Sequence, residues 1–277
     1  MRRHVKFFIL IFAALLAVSG VLVYGELCGD PAPAPAGGSR LPILMYHHVV
    51  PDGEDCNDMT VSASRLETDL QWLSEHGYHT VLPSELAAGI PLPANPVMIT
   101  FDDGYRSNYE LAYPLFQKYQ AKAVISVIVY LPDCWAESSL SWDMCREMAA
   151  SGLVEIGSHT FQCHNMDERY GCFTPDRANG VERKPGESDA DFQTRVLDDI
   201  QKSYDRITEE VAAPTFFAYP FGRTDPDADA LIQTLFPVTV VTSLKPVSAD
   251  LSGGLYALPR ITVSMDESLS RLLKKAG

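Results

Sequence analysis

The sequence predicts an α/β fold in a single domain, with a mostly parallel sheet that is either open or closed into a barrel. Three observations predict it. From Leu41 onward, short apolar runs alternate with amphipathic stretches of helical period, and repeated βα units of that kind bury their apolar faces as a parallel sheet covered by helices. The 277 residues suffice for one sizeable core. Apolar residues at 46% and charged residues at 21% are ordinary globular usage, which excludes a disordered chain or a multi-span membrane protein.

Residues 1–25 carry Arg2, Arg3 and Lys6 without an acid, and an apolar run follows from Phe7 to Tyr24, interrupted by Ser19 and Gly20. This is the pattern of a signal peptide or an N-terminal membrane anchor; if uncleaved, residues 7–24 would contact the cytoplasmic or inner membrane. Both readings export the rest of the chain to a periplasmic or extracellular location. Glu26, shortly before Cys28, argues against lipoprotein processing. Residues 26–40, rich in Pro, Ala and Gly, read as an extended linker. The folded domain then occupies residues 41–277.

Within that domain, residues 41–50 read as a buried strand. Leu66, Leu70 and Leu73 fall at helical spacing before Gly77, with Ser64 and Glu67 as a capping box. Residues 96–101 form the next strand, followed by a helix to about Tyr119 and a β-branched strand over 123–129. A helix over 142–151 leads into a strand at 154–157. Phe192, Val196, Ile200, Tyr204, Ile207 and Val211 step by three or four residues, the stripe of a long amphipathic helix. A strand at 215–219, a helix near 227–236 and a strand at 238–242 complete the alternation.

Lys and Arg total 22 against 36 Asp and Glu, a net charge of −14. Without the three basic residues of the leader the count is 19 against 36, or −17. Such a surface repels phosphate backbones and excludes nucleic acid as a partner. Six cysteines in an exported chain favour disulfides. Cys134 with Cys145, and Cys163 with Cys172, would be loop staples, although the spacing alone does not decide among the pairings.

In parallel α/β folds chemistry collects where strands end at their carboxyl edges. Four polar clusters fall there: His47-His48, Asp102-Asp103-Gly104, His159 with His164, and Tyr219-Pro220-Phe221-Gly222. Neighbouring strands would bring all four into one pocket. The Asp-Asp-Gly run also suits a plain turn and helix cap. His159 and His164 would diverge by about 140° on a regular helix, so they can converge only on a strand-to-loop transition, which Gly157-Ser158 permits. Two imidazoles and a carboxylate, with positions open to water, make a divalent metal site of the hydrolytic type.

At these residues the chain resembles a family. Thr100-Phe101-Asp102-Asp103-Gly104, His159-Thr160-Phe161-Gln162-Cys163-His164 and Phe217-Ala218-Tyr219-Pro220-Phe221-Gly222 are similar to three successive signatures of the polysaccharide deacetylases, the NodB-homology carbohydrate esterases of family 4. The resemblance covers about residues 41–265. It implies a distorted (β/α) barrel and metal-dependent removal of acetyl groups from polysaccharides containing N-acetylglucosamine. It further implies that Asp103, His159 and His164 hold the metal, with zinc foremost and cobalt or nickel also suited, and that Asp102 is the general base. The backbone N–H of Phe221 would bind the oxyanion, and Tyr219 and Phe221 would offer sugar-stacking surface.

The departures are informative. The histidines are five residues apart where many members have four, Ala218 stands where many have arginine, and no late Leu-x-His segment supplies a general acid. Met45-Tyr46-His47-His48 resembles the opening of the subgroup acting on poly-β-1,6-N-acetylglucosamine, which makes His47 the acid. His48 should face the other way on an extended strand. Arg260, at the end of a late strand, would orient Asp102. The alternatives are a peptidoglycan or chitooligosaccharide deacetylase and an inactive glycan-binding domain of the same fold.

Overall fold

Pro42 has no N–H to give a ladder, and the first apolar run breaks at that residue. In the computed structural model, which describes residues 40–134, 136–164 and 180–277, the expected strand over 41–50 is three short ones. They are Arg40–Leu41 (β1), Ile43–Tyr46 (β2) and His48–Val50 (β3). β2 enters the main sheet, whereas β3 turns away to pair with Thr60–Ser62 (β4). The leader, the linker up to residue 39, Cys28 and Cys172 lie outside the described residues. Arg40, the last residue assigned to the linker, already pairs with Asp250.

Helix α1, Ala63–Glu75, buries Leu66, Leu70 and Leu73, the spacing read from the sequence. Its cap is Ser62 rather than Ser64. The Ser62 hydroxyl accepts from the Arg65 N–H at 3.2 Å, because the chain leaves β4 in the extended conformation that an N-cap requires. His79–Thr80 (β5) and the short helix Pro83–Ala87 (α2) precede Pro96–Phe101 (β6). The helix expected after β6 opens as a π-turn, Asn108–Ala112, and continues as Tyr113–Tyr119 (α3). Pro114, unable to donate to the preceding turn, falls where the register changes.

The remaining elements follow the alternation. Ala123–Val127 (β7), Tyr130–Asp133 (α4), Trp142–Ala150 (α5) and Val154–Ser158 (β8) come first. Asp189–Glu210 (α6), Phe216–Ala218 (β9), Pro226–Ile232 (α7) and Val238–Thr242 (β10) are next. Ala249–Asp250 (β11), Leu258–Thr262 (β12) and Leu269–Ala276 (α8) end the chain.

Seven strands run in the order β2-β12-β10-β9-β8-β7-β6, and β6 pairs back with β2, so the sheet closes. Every pairing in this ring is parallel. The choice between open sheet and barrel is thereby settled: the fold is a seven-stranded parallel barrel wrapped by helices.

The two-residue period of a strand sorts its side chains. Ile43, Met98, Val124, Phe216, Ala218, Val240 and Leu258 come from around the ring and pack together inside it. Leu44, Tyr46, Ile99, Phe101, Ile125 and Ile261 face outward beneath the helices. Continuing that alternation past the ends of β2 and β6, and along β12 itself, turns His47, Asp102 and Arg260 inward at the carboxyl mouth of the barrel.

The cysteine expectation is corrected. Cys134 and Cys145 are both free: Cys145 is buried on the core side of α5 beside Trp142 and Met148, while Cys134 lies exposed after α4. Cys163 is free as well, and its expected partner Cys172 is outside the described residues.

Candidate active site

Asp102 is the first residue beyond β6, and its N–H still donates to the Tyr46 carbonyl at 3.1 Å, so the ladder holds it in place. The residue is 2% exposed and Arg260 is fully buried beside it. The two terminal guanidinium nitrogens donate to Oδ1 and Oδ2 at 2.7 and 2.6 Å, a bidentate pair. Arg260 is itself aimed by the Thr100 hydroxyl at 3.2 Å and the Val241 carbonyl at 3.4 Å. Burial alone pushes the Asp102 carboxyl up, but Arg260, with His159 and His47 nearby, outweighs it and holds the group well below the usual carboxylate range. At neutral pH Asp102 is therefore a buried, ionised carboxylate. His47 Nε2 lies 3.9 Å from its Oδ2.

The turn that follows is tight. Asp103 and Gly104 both take the left-handed conformation, with φ of 69° and 72°, which Asp tolerates and Gly adopts freely. A Cβ at Gly104 would meet Val127 Cγ1 at 2.8 Å, so only glycine fits against the neighbouring strand. This turn swings the Asp103 carboxylate away from Asp102 and toward the histidines. Asp103 Oδ1 lies 3.6 Å from Nε2 of both His159 and His164.

His159 follows β8 and stays on the ladder through its N–H to the Val127 carbonyl at 2.9 Å. Its Nδ1 is 2.7 Å from the Ala218 carbonyl. A carbonyl can only accept, so Nδ1 carries the proton and Nε2 presents a lone pair. Burial pushes the His159 ring down to about 4, which keeps it neutral at physiological pH. His164 sits on the loop beyond, its ring 4.8 Å from that of His159 and 4.9 Å from that of Phe221.

The ligand atoms of Asp103, His159 and His164 all lie within 4.8 Å of one another. Asp103 Oδ1 is shut off from solvent and accepts no hydrogen bond among the described residues. An orphaned buried carboxylate oxygen facing two imidazole nitrogens is a costly arrangement without a cation. The donor set fits a divalent metal ion that takes mixed nitrogen and oxygen ligands.

The third cluster divides. Phe221, with φ of 56°, is 53% exposed and presents its ring beside His164. Tyr219 does not reach the mouth. It is 1% exposed and packs edge-on against Phe217, under α6 and α7. Strand alternation gives the reason: Phe217 and Tyr219 share the outward face, while Ala218 faces inward and lends its carbonyl to His159. Tyr219 is corrected from a sugar-stacking residue to a core residue. His48 likewise faces away from His47 and lies against the Tyr105 ring, 4.6 Å between centroids.

Three residues around the site were not singled out from the sequence. Asn108, fully buried at the start of the π-turn, donates from Nδ2 to the His47 carbonyl at 2.8 Å, and the Ser107 hydroxyl accepts from the Val49 N–H at 3.3 Å. Asp199 on α6 accepts from the backbone N–H groups of the loop between the two histidines. The signal for Asp199 was present: it stands seven residues after Phe192, on the stripe that α6 buries.

The family described as polysaccharide deacetylase matches residues 89–236 of this chain. The chain is 30% identical over 231 residues to YxkH of Bacillus subtilis (strain 168), itself assigned to the polysaccharide deacetylases, with 82% of this chain and 72% of that protein covered. It is 27% identical over 255 residues to the poly-beta-1,6-N-acetyl-D-glucosamine N-deacetylase of Escherichia coli (strain K12), covering 84% of this chain but only 38% of the relative's length. Among solved structures, IcaB from Ammonifex degensii superposes with a TM-score of 0.69 at 26% identity, over 87% of this chain and 99% of that one. The de-N-acetylase from Aggregatibacter actinomycetemcomitans shares the fold, with a TM-score of 0.70 at 24% identity over 85% and 99% of the two chains. The matched segment spans more than half of the 277 residues and contains both the aspartate turn and the histidine loop, and on these grounds the chain belongs to the polysaccharide deacetylase family.

Proposed function

We propose that this protein is an exported, metal-dependent N-deacetylase acting on a β-linked N-acetylglucosamine polymer. The observation that carries this reading is the ionised Asp102 carboxylate, locked between Arg260 and His47 at the edge of the Asp103–His159–His164 cluster. Relatives named as N-deacetylases of poly-beta-1,6-N-acetyl-D-glucosamine support the choice of polymer. The basic and apolar leader supports export.

Asp103, His159 and His164 would hold the metal, with zinc the first choice and cobalt or nickel suited to the same donors. A bound divalent ion supplies Lewis acidity toward the amide oxygen and lowers the pKa of water. Asp102, ionised and not among the ligands, takes a proton from the attacking water. Arg260 fixes the direction of both carboxylate oxygens, so Asp102 need not reorient as the proton arrives. The water oxygen bonds to the amide carbon, and His47 donates a proton to the glucosamine nitrogen as the C–N bond breaks, releasing acetate and the free amine. The Phe221 N–H, at the left-handed turn after Pro220, assists the developing oxyanion, and its exposed ring offers the sugar a stacking face.

Acetate release from defined acetylated β-1,6 and β-1,4 glucosamine oligomers tests the proposal. The β-1,6 oligomer should be the better substrate, a chelator should abolish release, and Asp102→Asn should lower turnover by roughly 10²–10⁴-fold, the worth of a general base. A wild-type rate in Asp102→Asn would remove the base from its role, and a preference for β-1,4 oligomers would move the substrate to chitin-like or peptidoglycan chains. Sugar binding without acetate release would make the domain an inactive binder.

A further inference from the structure

We infer that Asp199 is a positioning residue that sets the loop between the two histidines and so determines how tightly the cluster holds its metal; the inference rests on reading Asp103, His159 and His164 as the metal site. The loop has a geometric problem to solve. His159 belongs to a strand end and His164 comes five residues later, yet their rings must face one point. Thr160 turns the chain through the left-handed region, with φ of 74°. The next three N–H groups then converge on one carboxylate. Phe161 donates to Asp199 Oδ1 at 2.8 Å, while Gln162 and Cys163 donate to Oδ2 at 2.7 and 3.1 Å.

Consecutive backbone N–H groups cupped around an anion form a nest. Here the anion is a buried side chain from a helix 36 to 38 residues further along the chain. Among the described residues no Lys or Arg forms an ion pair with Asp199, and its partners are the loop amides and the Cys163 thiol. The opposite edge of the loop is tied as well: the N–H groups of Val129 and Tyr130 donate to the carbonyls of Thr160 and Phe161, each at 3.1 Å. The loop is thus clamped on both edges before any ligand is considered, and His164 leaves the clamp one residue after Cys163.

A carboxylate is needed for this. The three amides converge on both oxygens of one side chain, a pattern that a carboxylate, with two acceptor oxygens, can satisfy. Asparagine of the same size offers one oxygen and would aim its NH₂ at an N–H, breaking one or two of the bonds. The loop would then hold His164 less firmly, and the loss should appear in metal affinity more than in folding.

The test is zinc affinity, measured by competition with a chromophoric chelator on metal-free folded protein. Asp199→Asn should bind zinc about 10–100-fold more weakly than wild type, the usual cost of removing an outer-shell partner. Unchanged zinc affinity with a lowered melting temperature would overturn the inference, because that is the signature of a purely structural carboxylate. If wild type itself binds no zinc, the reading of the site fails first and the inference falls with it, an outcome distinguishable from the previous one. Amide exchange on metal-free wild type provides a second measurement that requires no variant to fold. The Phe161, Gln162 and Cys163 amides should already be protected. Fast exchange that slows only on adding zinc would show that the metal, and not Asp199, orders the loop.

Discussion

Asp69 and Asp102 are both buried aspartates, each paired with an arginine, one on the buried face of helix α1 and the other at the barrel mouth. Their carboxyl groups nevertheless shift in opposite directions. At Asp69 burial dominates and raises the pKa despite Arg65 and the Tyr46 hydroxyl. At Asp102 the neighbouring cations outweigh burial and lower it. The difference lies in how each guanidinium is used. Arg260 sends both terminal nitrogens to Asp102. Arg65 offers Asp69 only Nε, shared at 3.0 Å between the two oxygens, and its terminal nitrogens bind the carbonyls of Ser264 and Glu267. Asp69 anchors Arg65, which ties α1 to the segment after β12; Asp102, in the proposed mechanism, is the base. In this pair of buried Asp–Arg contacts, the aspartate held ionised is the one that both terminal guanidinium nitrogens reach.

The largest effect should come from removing each arginine. Arg260→Met leaves a buried carboxylate uncompensated, so it should cost about 3–5 kcal/mol of stability and abolish acetate release. Arg65→Met should cost less, about 1–3 kcal/mol, because Asp69 is already biased toward its neutral form and can take up a proton. Acetate release by the folded fraction should be unchanged. Chemical denaturation together with the acetate assay checks both, and equal losses in the two variants would break the comparison.

The pH dependence should also be opposite. A depressed carboxyl pKa stabilises the fold above the ordinary carboxylate value, and that stability is lost as the pH falls through the folded value. A raised one stabilises below the ordinary value and is lost as the pH rises through the folded value. The stability difference between wild type and Asp102→Asn should therefore grow as pH climbs from acid toward neutrality, while that between wild type and Asp69→Asn should shrink. Parallel curves from urea titrations across the carboxylate range would contradict the two assignments.

What the sequence reveals, and what it hides, follows from the same physics. The long stripe of α6 and the apolar runs of β6 and β10 were legible because one periodicity governs them for a whole element. The candidate mouth residues were legible because they sit at strand ends and resemble family signatures in order. Tyr219 was misread because the signature carries no face, whereas the two-residue alternation from Phe217 turns it into the core. The split at Pro42 and the pairing of β3 with β4 depend on which neighbour is available, a tertiary fact. Asn108 and Asp199 act on backbone groups 61 and 36 to 38 residues away, and no local pattern shows which N–H or carbonyl a buried polar side chain will meet. The free state of Cys134 and Cys145 was hidden for a related reason, since an even count says nothing about which face of α5 points inward.

Tyr46 joins the two regions and gives the smallest but sharpest test. Its carbonyl accepts the Asp102 N–H, while its hydroxyl donates to Asp69 Oδ2 at 2.9 Å. The two links use different parts of the residue. Tyr46→Phe removes only the second, leaving the backbone ladder and the ring's stack on Phe101, 5.2 Å between centroids, in place. The expected cost is about 0.5–1.5 kcal/mol, the net worth of one hydrogen bond. The Asp69 carboxyl loses a donor, so it should become easier to protonate. Turnover should not change, because the Asp102 position depends on the Tyr46 carbonyl and on Arg260. If turnover instead falls as far as it does in Asp102→Asn, the hydroxyl network of α1 reaches the mouth of the barrel. Asp69 would then have to be counted as part of the site.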